Sequence, residues 1–121
     1  MSGIFGIVST EDCSNQILYG TDYQAHLGTE FGGIAIIGET FQRQIHNISQ
    51  AQFKSKFFDD ITHMKGNKGV GVVSGLEEQP IYLNSKFGPM CVVTNGLIEN
   101  ADQLAKEMME EGITFSGNWM K

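Results

Sequence analysis

From its third residue the chain is apolar for six positions in a row, Gly3-Ile4-Phe5-Gly6-Ile7-Val8. A run with no polar position to mark a wet face reads as a strand at the very N-terminus whose two faces are both covered. The rest of the chain must therefore supply more sheet and something to lie on each side of it. With 121 residues it has material for one small domain with one core, spanning 1–121.

Ser14 and Asn15 offer helix-start chemistry ahead of Ile17, Leu18 and Tyr23, although Gly20 weakens that helix. A glycine-rich stretch, with Gly28, Gly32 and Gly33 around Thr29-Glu30-Phe31, leads into a second apolar strand, Ile34-Ala35-Ile36-Ile37. Gly38 ends it, and Phe41 to Ile48 can return as a hairpin arm. From Gln50 to Met64 the period changes: Phe53, Phe57, Phe58, Ile61 and Met64 recur at helical spacing with Lys54, Lys56, Asp59 and Asp60 opposite, and Gly66 closes the helix. Gly69–Val73, Ile81–Leu83 and Met90–Thr94 follow as strands separated by turn residues. Asn100 and Gln103 form a capping box for a last helix, in which Leu104 and Met108 face inward and Gly112 is the stop. Ile113-Thr114-Phe115 then starts another strand, with Trp119 close behind it, so the fold is expected to be unfinished where the sequence ends. The order predicts an α+β arrangement of sheet with covering helices.

Net charge excludes one large class of partner. At −6, with eight scattered Lys and Arg residues, the chain lacks the basic face that phosphate backbones require, so no nucleic acid is expected. No apolar stretch approaches the ~20 residues of a membrane span, and the run Ile4–Val8 is too short for a secretory signal. Cys13 and Cys91 have no metal-like spacing and read as two reduced, partly buried thiols of a cytoplasmic protein. His26 and His46 have no partner at ligand spacing, which makes them satisfied structural histidines; neither metal nor cofactor is expected.

Three separated stretches, in order, resemble the class II glutamine amidotransferases. The first is Ser2-Gly3-Ile4-Phe5-Gly6-Ile7-Val8, where that family has a cysteine followed by Gly-Ile-Phe-Gly. The second runs from Leu18-Tyr19-Gly20 through His26-Leu27-Gly28 to Gly33-Ile34-Ala35, similar to a segment built on a Gln-His-Arg-Gly core. The third is Gln79-Pro80 followed by Thr94-Asn95-Gly96-Leu97-Ile98-Glu99-Asn100-Ala101, similar to a Gln-Pro and then an Asn-Gly-x-x-x-Asn block. Tyr19 to Tyr23 with His26 to Thr29 looks most like a divergent branch of the amidophosphoribosyltransferase kind. The resemblance implies an N-terminal-nucleophile fold, an αββα sandwich of antiparallel sheets that is incomplete in this chain. In the family such a domain precedes a phosphoribosyltransferase domain and releases ammonia from glutamine, which then replaces pyrophosphate on phosphoribosyl pyrophosphate in purine synthesis.

The same resemblance assigns the candidate catalytic residues. The first mature residue attacks the glutamine amide and its own α-amine, titrating near ~8, serves as base; this implies Ser2 as nucleophile and removal of Met1. Serine departs from the family cysteine, since a thiol ionises near pH ~8.5 whereas a hydroxyl needs full base assistance. Asn95, through its side-chain amide, and Gly96, through its backbone N–H, match the oxyanion donors, each worth about 3–4 kcal/mol of barrier in an active enzyme. The family's arginine for the substrate carboxylate lies in a His-x-Arg-Tyr-Ser segment. Its counterpart here, Gly71-Val72-Val73-Ser74-Gly75, has no basic residue, and Leu27 replaces the arginine after His26. The family's Ser/Thr-Asp-Ser/Thr-Glu segment, whose aspartate holds the substrate amine, is met here by Ser116-Gly117-Asn118-Trp119. Glutamine is thus a weak substrate at best. Two other readings stay open: a non-catalytic interaction or regulatory module on the same scaffold, and a serine N-terminal amidohydrolase for a different amide. An unfinished fold also implies self-association or cover from a further part of the same protein.

Overall fold

The computed structural model describes residues 2–28 and 30–113. Along the chain lie β1 (Ser2–Val8), α1 (Ser14–Asp22), a single 3-10 turn (Ala25–Leu27), β2 (Phe31–Ile37), β3 (Phe41–Asn47), α2 (Phe53–Thr62), β4 (Lys68–Ser74), β5 (Ile81–Ser85), β6 (Gly88–Val92) and α3 (Ala101–Glu110). The arrangement is α+β, as the residue pattern implies. Four strands form one antiparallel sheet in the order β1-β4-β2-β3, and β5 and β6 form a separate two-stranded hairpin.

Register decides which residues share a face. Phe5 lies opposite Gly71, which lies opposite Ile34; Ile7 lies opposite Gly69, which lies opposite Ile36. These residues face α1 and α2. Ile17, Leu18, Ile34, Ile36, Phe53, Phe57, Ile61 and Val73 make a continuous core there, joined by Cys13, Ile48 and Met64. Each such side chain contributes about 1.5–3 kcal/mol by leaving water. Gly20 sits inside α1 because the Phe5 ring occupies the space a side chain would need, so the residue that weakens the helix locally is what lets it approach the sheet.

The opposite face carries Ser2, Ile4, Gly6 and Val8 from β1 and Gly33 and Ala35 from β2. The Gln79-Pro80 segment and the hairpin lie over its β2–β3 side: Pro80 reaches Gly33, and Tyr82 meets Phe41 edge-on at 5.2 Å. Over β1 the expected cover is missing among the described residues, with Val8 82% exposed, so the apolar run is buried on one face only.

Several local expectations change. Helix α2 begins at Phe53 and ends at Thr62, with His63 rather than Gly66 as its cap. Phe53, Phe57 and Ile61 are buried at four-residue spacing. Phe58, five residues past Phe53 and so about 140° around the helix, is exposed. Gly66 instead donates its N–H to the Asp12 carboxylate, tying the loop after β1 to the loop before β4. The capping box of α3 does not form: the Asn100 side chain caps nothing and Gln103 bonds Glu107. That helix buries Ala105, leaves Leu104 half-buried and exposes Met108. Gly112 does end it, with a φ of +92°. The strand expected from Ile113 to Phe115 and the segment Ser116–Trp119 lie outside the described residues from 114 onward.

Candidate active site

Ser2 is the first residue of β1 and stands in register with Ser74 at the end of β4, which in turn stands in register with Phe31 of β2. The three therefore form a row across neighbouring strands on the sheet face away from the core helices. Two contacts fix the start of β1: the Gln24 side-chain amide donates to the Ile4 carbonyl at 2.8 Å, and Gln24 Cβ packs where Gly3 has no side chain. No described residue bonds the Ser2 hydroxyl.

Ser74 has a different employment. It is 3% exposed, and its Oγ accepts the N–H groups of Leu76 and Glu77 at 3.3 and 3.2 Å, folding the chain into the turn that leads to Gln79. The position facing Ser2 is thus neutral and its oxygen is engaged. The sole arginine of the sequence, Arg43, lies on the same sheet face but on β3, with β4 and β2 between it and β1, in the row of Gly6 rather than that of Ser2. Strand spacing and rise put its Cα on the order of 20 Å from that of Ser2. It is held there, its Nε donating to the Pro80 carbonyl at 2.6 Å. Arg43 is too distant to grip the carboxylate of a ligand placed at Ser2.

Asn95 and Gly96 lie in the loop between β6 and α3, exposed, and the Asn95 side chain bonds no described residue. Gly96 has φ +153°, which side-chain-bearing residues rarely adopt, and open space where a Cβ would stand; the glycine answers a backbone demand, not crowding. Among the described residues no hydrogen bond joins Ser2 to either. Ser2 belongs to the four-stranded sheet and the Asn-Gly pair to the loop leaving the hairpin.

One side chain connects this loop to the body of the domain. Gln79, 3% exposed, accepts the Thr94 N–H at Oε1 (2.7 Å) and donates from Nε2 to the Thr94 carbonyl (3.2 Å). Its own carbonyl presses against the α-carbon of Gly33, where any side chain would collide with it. The sequence marks Gln79 only as half of a Gln-Pro pair, and nothing in it marks Gln24 as the brace of β1.

The remaining sequence candidates lie elsewhere. His46 pairs with Asp60 of α2 and meets Phe57 edge-on at 4.7 Å, a satisfied structural histidine with a carboxylate partner that spacing along the chain does not reveal. His26 corrects the expectation: it is exposed and its side chain bonds no described residue. Both cysteines are free; burial pushes the Cys13 thiol up, with Asp12 adding to the effect, and burial likewise raises Cys91 against a smaller pull from Arg43. Neither carries the lowered pKa of an activated thiol. Clefts of about 470, 360 and 460 Å³ are lined by other residues than Ser2, Asn95 and Gly96. Among the described residues no group of three or more His, Cys, Asp or Glu could hold a metal ion, and no helix is long and apolar enough to cross a membrane.

Comparison with known proteins gives a consistent set of relatives. No family model matches the chain. It is 30% identical to the amidophosphoribosyltransferase of Methanocaldococcus jannaschii over 98% of its length and 27% of that protein's. It is 27% identical to the Pseudomonas aeruginosa amidophosphoribosyltransferase over 93% of its length and 24% of that protein's. It is also 27% identical to an isomerizing glutamine–fructose-6-phosphate aminotransferase of Legionella pneumophila, over 96% of its length and 20% of that protein's. The chain thus spans about a quarter of the curated relatives it matches. Among solved structures, the glutamine phosphoribosylpyrophosphate amidotransferase from B. subtilis, complexed with ADP and GMP, superposes with a TM-score of 0.81 at 23% identity, over 96% of this chain and 26% of that one.

Proposed function

We propose that this chain, which has the sequence likeness and the fold of a class II, N-terminal-nucleophile glutamine amidotransferase domain, is the amidotransferase part of an amidophosphoribosyltransferase-like protein whose own glutaminase activity is weak or lost. In the active version of this chemistry a terminal nucleophile attacks the amide carbon of glutamine, the α-amine moves the proton, and ammonia leaves for a second site. On that scheme Ser2 is the nucleophile, Asn95 and Gly96 donate to the oxyanion, and the ammonia would pass to phosphoribosyl pyrophosphate in purine synthesis. The protein would work in the cytoplasm, as part of a larger assembly or chain.

The observation that supports loss of activity is the neutral, engaged Ser74 across from Ser2. A glutamine carboxylate needs a cationic partner, bidentate arginine above all, and the only arginine is committed to Pro80 under the hairpin. Replacement of a thiol by a hydroxyl weakens the attack further. Intact mass with N-terminal sequencing, before and after incubation with glutamine, tests this reading. A terminus at Ser2 with a stable glutamyl adduct supports a slowed nucleophile, and rapid release of ammonia overturns the claim of lost activity.

The second reading, a non-catalytic module, is favoured by the apolar side chains displayed on and beyond the hairpin: Leu83, Met90, Leu97 and Ile98 are all exposed. Retention of Met1 together with no glutamine binding would select it.

A further inference from the structure

We propose that Gln79 is the positioning residue of the Asn95–Gly96 loop, its side chain replacing the pair of main-chain bonds that would extend the hairpin ladder. The hairpin pairs Ile81 with Val92. Extending the same antiparallel register sets Pro80 opposite Val93 and Gln79 opposite Thr94. The ladder ends at Ile81 and Val92: Pro80, like Pro89 opposite Asn84, falls where the backbone nitrogen faces away from the partner strand, and the next pair to exchange main-chain bonds would be Gln79 and Thr94. Those bonds are not made: the Gln79 carbonyl is turned to Gly33, and among the described residues the chain from Val93 to Gly96 has no main-chain partner, in a stretch that holds the candidate oxyanion donors.

Gln79 makes good the loss. A primary amide has the donor and acceptor of a peptide unit, and here both are used on one residue: Oε1 takes the Thr94 N–H and Nε2 gives to the Thr94 carbonyl. Both peptide units flanking Thr94 are fixed, and Asn95 begins from an anchored carbonyl. Burial of Gln79 makes the arrangement demanding, because an unmatched amide there would leave two polar groups dry. The anchor is itself rigid: Gln79 is seated on Gly33 of the central strand β2, and Pro80 is held by Arg43 of β3. A continuous path therefore runs from the middle of the sheet through one side chain to the loop carrying Asn95 and Gly96. Its importance for catalysis rests on the functional reading above; its effect on the loop does not.

The test compares the full chain with Gln79→Ala and Gln79→Glu by amide hydrogen exchange. Glutamate keeps the shape and the acceptor but, when ionised, opposes the Thr94 carbonyl with a second acceptor. Both variants should lose about tenfold in protection at Thr94, the equivalent of one hydrogen bond, with resonances of Asn95 and Gly96 moving and those of Ile34 and Val72 unchanged. If either variant loosens the sheet as well, Gln79→Glu is read in acid, where the protonated carboxyl is again a donor and must restore Thr94 and the loop together. Unaltered protection at Thr94, an unmoved loop, or failure of the acid rescue overturns the proposal. Where the parent chain releases ammonia from glutamine, the variants should lower kcat at unchanged KM, and a change in KM alone also overturns it. A parent chain with no turnover bears on the catalytic reading only, and the exchange result then decides the positioning role.

Discussion

Ser2 and Ser74 occupy facing positions on neighbouring antiparallel strands, yet only one hydroxyl is tied into the fold: that of Ser74 holds two backbone N–H groups, and that of Ser2 bonds no described residue. The two serines should respond to truncation in opposite ways. Ser74→Ala releases the turn at Leu76 and Glu77 and should cost about 0.5–1.5 kcal/mol. Ser2→Ala should stay within about 0.5 kcal/mol of the parent. Denaturant titration of both variants checks the contrast, and equal losses would mean that Ser2 has a structural partner.

Adjacent phenylalanines give a second contrast. Phe57 is fully buried against Phe53 at 4.5 Å, and Phe58 beside it is 60% exposed. Phe57→Ala should destabilise by about 3–5 kcal/mol, whereas Phe58→Ala should be close to neutral. Thermal unfolding of the pair distinguishes the observed helix phase from one in which both face the core.

Gly33 is where the sheet receives Gln79 and Pro80. An added methyl meets the Gln79 carbonyl at the α-carbon, so Gly33→Ala should cost about 1–3 kcal/mol as an overpacked site. The hairpin should lift first: Tyr82, edge-on to Phe41, should become more exposed, and its fluorescence or near-ultraviolet circular dichroism reports that directly.

The Gly66 N–H donating to Asp12 holds that carboxyl below its usual range, with Ser14 and Lys65 adding to the effect against a smaller opposing effect of burial. A carboxyl with a depressed folded-state pKa gives stability that is present above its unfolded pKa and lost as pH falls through the folded value. Asp12→Asn should therefore be less stable than the parent near neutrality, with the gap closing in acid below the ordinary carboxylate range. Unfolding midpoints of both forms from pH 7 down to about pH 2 check the sign.

Much of this organisation is legible in the residues. Short apolar runs broken by glycine, such as Ile34–Ile37 and Gly69–Val73, become strands because nothing in them permits a helical stripe. Phe53, Phe57 and Ile61 mark α2 because four-residue spacing puts them on one side. Illegible parts depend on contacts made through space. Asn100 has the chemistry of a cap but not the geometry, and Phe58 shares its neighbour's composition but not its phase. The candidate site divides the same way. Ser2, Asn95 and Gly96 are marked by motif, but the Gln79–Thr94 clamp exists only because the hairpin register sets those positions opposite each other, and the neutrality opposite Ser2 becomes meaningful only once Ser74 is known to face it.

Ammonia release from glutamine by the purified protein, followed with its intact mass, decides whether the site at Ser2 has lost its activity. Turnover is expected far below the ordinary enzyme range of about 1–10³ s⁻¹, with either no adduct or one that persists on Ser2. Turnover within that range, abolished in Ser2→Ala, would contradict that loss and show that a group other than an arginine grips the substrate.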